Sequence, residues 1–174
     1  KSSQQIAVTP VAPVAVDESA AARRLGEAVK LQTIASASDA DQSADAFLAL
    51  HDLIARSFPA FHIAAKREVI ANYSLLYTWE GSDPKAPPIA LLAHQDVVPI
   101  APGTEGDWQV PPFSGEVKDG FIWGRGSWDD KGNLFSMLEA AEQLAKDGFK
   151  PRRTIYFAFG HDEEVSGKRG AAAI

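Results

Sequence analysis

Ile89–Ala93 (IALLA) runs directly into His94-Gln95-Asp96, and Thr154–Phe159 (TIYFAF) runs directly into Gly160-His161-Asp162-Glu163-Glu164. Each is a short apolar run without alternation, the pattern of a buried strand covered on both faces. Between them the spacing predicts a helix over about Gly132–Lys146, with Leu134, Leu138, Ala141 and Ala145 turned inward. Gly148 ends it and Pro151 follows, the usual chemistry of a helix stop. Strand, helix, strand in that order builds a right-handed parallel unit. The fold class is therefore α/β.

On the N-terminal side, residues 1–16 (KSSQQIAVTPVAPVAV) have no period and read as an extended arm, which leaves 17–174 for the folded part. Asp17-Glu18-Ser19 supplies a helix start, and Leu25, Ala28, Val29 and Gln32 follow at helical spacing. A second helix is expected from about Ser43 to Ser57, with Phe47, Leu50, Ile54 and Phe58 as its apolar stripe. His51 lies beside that stripe and reads as a partly buried surface histidine. Phe61–Val69 is a weak strand candidate. In Asn72–Trp79 the residues Tyr73, Leu75, Tyr77 and Trp79 alternate onto one face of a stronger one. Asp119-Gly120 marks a hairpin turn inside the loop-rich segment that follows Pro99.

Composition excludes several function classes. Seventeen Lys and Arg against 23 Asp and Glu give a net charge of −6, and no basic run exceeds two residues. That balance suits neither nucleic acid nor an anionic membrane surface. No apolar stretch approaches the roughly 20 residues of a membrane span. With no cysteine, neither a disulfide framework nor a thiolate metal site can form. Any metal must be held by His and carboxylates. The 174 residues open at Lys1 and stop where Gly170–Ile174 reads as the start of a helix, so the expectation is a piece of a longer protein.

Polar residues gather at the ends of apolar elements. The three clusters are His94-Gln95-Asp96, Gly124–Gly132 (GRGSWDDKG) and His161–Glu164 (HDEE). Ligands of open α/β sheets bind beyond the carboxyl ends of strands, where all three can converge. In extended backbone His94 and Asp96 face the same side, about 6.6 Å apart. Asp96 can then orient a metal-binding His94 or be a ligand itself. Asp129-Asp130 precedes a helix, where such a pair is commonly a cap. One of these carboxylates could instead bridge two cations about 3.5–4 Å apart. Neighbouring Glu163 and Glu164 diverge, so one can bind metal while the other serves as a base. Singly each cluster is unremarkable; together, each at an element end around a Gly-rich turn, they favour a metal site.

The chain resembles the zinc exopeptidases and amidohydrolases of the aminoacylase, carboxypeptidase S and glutamate carboxypeptidase family. The resemblance rests on HQDVVP (His94–Pro99), GRGSWDDKG and HDEE, in order and at matching spacing. Asn72–Pro84, Trp108–Gly115 and Ala158–Gly167 look most like the carboxypeptidase S branch, which includes N-fatty-acyl amino acid hydrolases. It implies a three-layer catalytic domain on a mixed, mainly parallel sheet. His94 and Glu164 would each ligate one of two Zn2+ ions, and Asp129 would bridge both. Asp96 would orient His94, and Glu163 would be the general base toward water. The Asp129–Asp130 peptide would be cis, and His161 would be structural. Trp108, Trp123 and Trp128 would be packing residues, with Trp128 able to shape the site wall.

The same resemblance implies further zinc ligands beyond Ile174, and a lid domain carrying dimer and substrate-carboxylate contacts that this chain lacks. Each zinc would keep two protein ligands here, where catalytic zinc normally has three. The sheet would also be left with an exposed edge. The implied substrates are peptides, cleaved as by a carboxypeptidase, or N-acyl amino acids. The branch's N-terminal signals and anchors lead to an extracytoplasmic expectation. A di-metal phosphoesterase and a truncated, non-catalytic binding domain are the alternatives.

Overall fold

A computed structural model describes residues 6–10, 12 and 14–174; the rest of the expected arm, residues 1–5, 11 and 13, lies outside the described residues. Helix α1 (Glu18–Val29) starts where Asp17 accepts the Ala20 N–H at 2.9 Å, as its start chemistry predicts. Helix α2 (Ala44–Ser57) buries Phe47, Leu50 and Ile54, and Phe58 just beyond it is equally buried. The segment after it departs from expectation. Residues 61–64 are not strand but part of a short helix, α3 (Pro59–Ala64), and strand β1 begins only at Lys66 (Lys66–Ile70). Pro59 presets the first helical φ. The Phe61 N–H, which a helix start would leave unpaired, reaches the buried Glu142 carboxylate at 2.8 Å.

Strand β2 (Ser74–Trp79) pairs antiparallel with β1, and the alternation read from sequence holds: Tyr73, Leu75, Tyr77 and Trp79 are all buried. Strand β3 (Ile89–His94) is followed by a small hairpin, β4 (Val117–Lys118) and β5 (Phe121–Ile122). Its turn residues Asp119 (φ 53°) and Gly120 (φ 80°) are both left-handed, as a tight hairpin turn demands. Helix α4 (Lys131–Lys146) then crosses over to strand β6 (Ile155–Gly160), which lies parallel to β3. The strand–helix–strand unit therefore forms as its sequence predicts.

The main sheet has the order β1-β2-β6-β3. It is mixed, as expected: the β3–β6 pairing is parallel, and β1–β2 and β2–β6 are antiparallel. The apolar run of β3 reads as a strand covered on both faces. It stands instead at an edge, with Ile89 40 % and Leu92 63 % exposed, because no described element covers its far side. Leu75, Tyr77, Phe157, Phe159, Leu91 and Ala93 share one face in register and meet Leu50, Ile54, Phe58, Phe61, Leu134 and Leu138 from the helices. On the opposite face Leu76, Thr78, Tyr156 and Ala90 are half-buried or exposed. The described residues thus supply two of the three expected layers. Among them, no helix is long and apolar enough to cross a membrane.

Two ties fix α4 against α1. Arg24 forms a two-pronged pair with Glu139, both bonds at 2.6 Å. The fully buried Lys131 ammonium donates to the Ala28 carbonyl at 3.0 Å and the Leu31 carbonyl at 2.6 Å. It thereby adds a charged donor to two carbonyls, one in the last turn of α1 and one just past it, that also accept the Leu31 and Thr33 N–H groups. Burial lowers the Lys131 pKa to about 7 against a smaller opposing pull from Asp96.

Candidate metal centre

The centre lies where β3 and β6 end and α4 begins. His94 is the last residue of β3, and its Nε2 stands 2.9 Å from Asp129 Oδ1 and 3.8 Å from Glu163 Oε2. Ligand atoms of His94, Glu163 and Glu164 all lie within 4.8 Å of one another. Asp129 joins that set through His94. The three sequence clusters therefore converge, and Asp129–Asp130 is a cis peptide.

Asp96 organises the group from beneath. Its side chain is fully buried, with Oδ1 3.3 Å from His94 Nδ1. The same Nδ1 donates to the Asp96 carbonyl at 3.0 Å, which points Nε2 outward toward Asp129. The Asp96 carboxylate also accepts the Glu163 and Glu164 backbone N–H groups, each at 3.0 Å. One buried carboxylate thus fixes both the imidazole and the turn carrying the two glutamates. Asp130 ties the third segment in, since its Oδ2 accepts the His94 N–H at 3.1 Å. The Gly-rich turn must be glycine where it meets α4: a Cβ on Gly132 would stand 2.3 Å from the Ser127 carbonyl oxygen.

The electrostatics seek a cation. Burial works against a charged His94, but the surrounding Asp96, Asp129 and Asp130 carboxylates outweigh it and push its pKa up to about 9. Burial and the nearby Asp129 carboxylate hold Glu164 above the usual carboxylate range. Among the described residues, the ion-pair partner of both Asp129 and Glu163 is His94. One imidazole nitrogen among carboxylate oxygens, without thiolate or lysine, is a donor set that fits a divalent cation such as zinc.

Other expectations resolve individually. His161 lies outside this set, buried, with Nδ1 2.7 Å from Ser74 Oγ and its ring edge-on to Phe47 and Tyr73. Trp108 lies under the Arg125 guanidinium, 5.4 Å from its ring centre, and Trp123 donates to the Lys118 carbonyl. Trp128 does not pack as expected: it is 89 % exposed beside Asp129. His51 is not a surface residue either. It is 2 % exposed, and Nε2 reaches the Tyr73 carbonyl at 2.9 Å and Gln95 Oε1 at 3.1 Å. Sequence reasoning missed Gln95, Asp130, Lys131 and Asp162. Asp162 accepts the Arg169 and Gly170 N–H groups at 2.8 and 2.7 Å and anchors the chain beyond Glu163–Glu164. Asp130 and Lys131 stood inside a noted motif; Gln95 was flagged only by its position between His94 and Asp96.

Burial holds the His51 imidazole below its ordinary 6.5, and the charge of Arg67 adds to the effect. The native state then binds fewer protons than the unfolded state as pH falls through about 6.5. Stability is lost below that pH until the lower native pKa is passed. His51→Gln is expected to flatten this acid limb, read as a smaller Tm difference between pH 7.5 and 5.5 than in the wild type. An unchanged difference would remove His51 from the acid response.

Peptidase family M20/M25/M40 matches residues 90–174, the segment that holds all three clusters. The chain is 46 % identical over 155 residues to the probable carboxypeptidase S-like 2 of Dictyostelium discoideum, covering 88 % of this chain and 30 % of that protein. It is 43 % identical over 149 residues to the N-fatty-acyl-amino acid synthase/hydrolase PM20D1 of Xenopus tropicalis, covering 84 % of this chain and 28 % of that protein. The chain therefore spans less than a third of the length of these relatives. In fold it resembles human carnosine dipeptidase 1, with a TM-score of 0.69 and 20 % identity over 86 % of this chain and 33 % of that one. With motif order and sequence match in agreement, residues 90–174 belong to a domain of peptidase family M20/M25/M40.

Proposed function

We propose that the protein is a metal-dependent hydrolase of amide bonds, acting on peptides from the carboxyl end or on N-acyl amino acids. The observation that carries this reading is the gathering of Asp129, Glu163 and Glu164 around His94, with Asp96 binding three of the four. The names of the two relatives support the substrate classes.

In this reading His94, Asp129 and Glu164 are the residues that would hold zinc. When bound, the metal supplies Lewis-acid polarisation of the scissile carbonyl and a water of lowered pKa. The protein's own part is positioning and proton transfer. Asp96 keeps His94 Nδ1 protonated and so leaves Nε2 as the donor to metal. Glu163, more exposed than Glu164, takes a proton from the attacking water and returns it to the departing nitrogen. Two protein ligands per ion would fall short of the three usual at catalytic zinc, so this reading calls for further ligands at each ion.

Metal removal is the test. Chelator treatment of the intact enzyme is expected to abolish hydrolysis of an N-acyl amino acid and of a peptide, and Zn2+ to restore it. A phosphate monoester run alongside is expected to stay intact. Turnover that survives complete metal removal, or cleavage of the phosphate ester in preference to both amides, would overturn the reading.

A further inference from the structure

Between two residues that face the centre, Gln95 faces the other way. It is fully buried, and every polar group it has is engaged. Its Nε2 donates to the Tyr73 carbonyl at 2.7 Å and the Phe159 carbonyl at 2.8 Å. Its Oε1 accepts from His51 Nε2 at 3.1 Å. Its backbone N–H donates to the Gly160 carbonyl at 2.8 Å, and its own carbonyl accepts the Thr33 hydroxyl at 2.7 Å. One residue thus joins the segment after α1, helix α2, the entry to β2 and the end of β6. The amide orientation is dictated by its surroundings. Flipped, its oxygen would face two carbonyl oxygens and its NH2 would face an imidazole N–H.

The placement matters because of what flanks it. His94 and Asp96 are its chain neighbours. Phe159 and Gly160, which it grips by side chain and backbone, lie three to four residues before Glu163. The distance between the imidazole and the glutamate turn is therefore set across Gln95. We infer that Gln95 is a positioning residue: with His51 behind it, its carboxamide locks the end of β3 to the end of β6 and so sets the separation of His94 from Glu163 and Glu164. Asp96 can accept the two glutamate N–H groups only while that separation holds. The inference rests on the proposed metal reading only for its consequence; the lock itself belongs to the protein without metal.

Gln95→Glu keeps the shape but removes both donors to the carbonyls, and Gln95→Met keeps the length without any polar group. The first measurement is hydrogen exchange of the Glu163 and Glu164 amides in the metal-free full chain. Exchange there is expected to rise at least tenfold in both variants, beyond any rise at α4 amides that report global opening. The second is Co2+ affinity by chelator competition, expected to fall about 10–100-fold, as for other residues that orient ligands. Unchanged exchange at Glu163 and Glu164 would overturn the inference. So would equal acceleration at every amide, the mark of a merely structural residue. If the wild type binds no Co2+, the metal reading fails, and the exchange experiment still decides the lock. Should Gln95→Glu not fold, Gln95→Met supplies the same two outcomes.

Discussion

Glu163→Gln is expected to lower amide hydrolysis by about 10²–10⁴-fold, the range for removal of a general base, with bound metal staying at the wild-type level. The side chain keeps its size but loses its negative charge and with it the ability to accept a proton. Its backbone N–H still donates to Asp96, so the turn is undisturbed. Glu164 separates the two roles. It is the more buried of the pair, and burial beside Asp129 raises its proton affinity, so its ionised form is the one in want of a cation. Glu164→Gln is accordingly expected to lose metal together with rate. The two variants are read by metal analysis and by steady-state hydrolysis of an N-acyl amino acid. If Glu163→Gln lost metal and Glu164→Gln kept it, the two roles would be exchanged. If neither changed the rate, the base would lie elsewhere.

How much of this could be read from sequence depends on the range of the interactions. The centre was legible because its chemistry is local. His94, Asp129, Glu163 and Glu164 each follow a recognisable element, and the side of the sheet on which such ends gather is set by topology. What supports the centre was not legible, because its partners are far apart in sequence. Gln95 answers to His51, Tyr73 and Phe159, and Lys131 answers to the carbonyls of Ala28 and Leu31. His51 looked like a surface residue because nothing near it in sequence reveals that Gln95 and Tyr73 close over it. The apolar run of β3 reads as a central strand for a similar reason. An apolar strand is written for neighbours on both sides, and periodicity cannot say which elements supply them. The described residues leave Leu92 63 % exposed where the run implies cover.

The segment at Phe61 shows the same limit at short range and yields the largest expected effect on stability. Read as a strand, residues 61, 63 and 65 would share one face, since side chains alternate with a period of two. The structure buries Phe58, Phe61 and Ala65, at helical spacing, and leaves Ile63 89 % exposed. At about 100° per residue, Phe61 and Ile63 point to nearly opposite sides of a helix. Phe61 is fully buried, with Tyr77, Trp79 and Phe157 rings at 5.0, 5.9 and 4.9 Å. It therefore joins α3 to both central strands, β2 and β6. Phe61→Ala removes that ring and leaves a cavity, at an expected cost of about 3–5 kcal/mol. In a protein of this size that corresponds to a fall in Tm of roughly 6–20 °C. Ile63→Ala is expected to stay within about 0.5 kcal/mol of wild type, as an exposed substitution does. Thermal unfolding of the two variants distinguishes the conformations directly. Comparable losses at 61 and 63 would restore the strand; a large loss at 61 alone is what a helix seated on Phe61 requires.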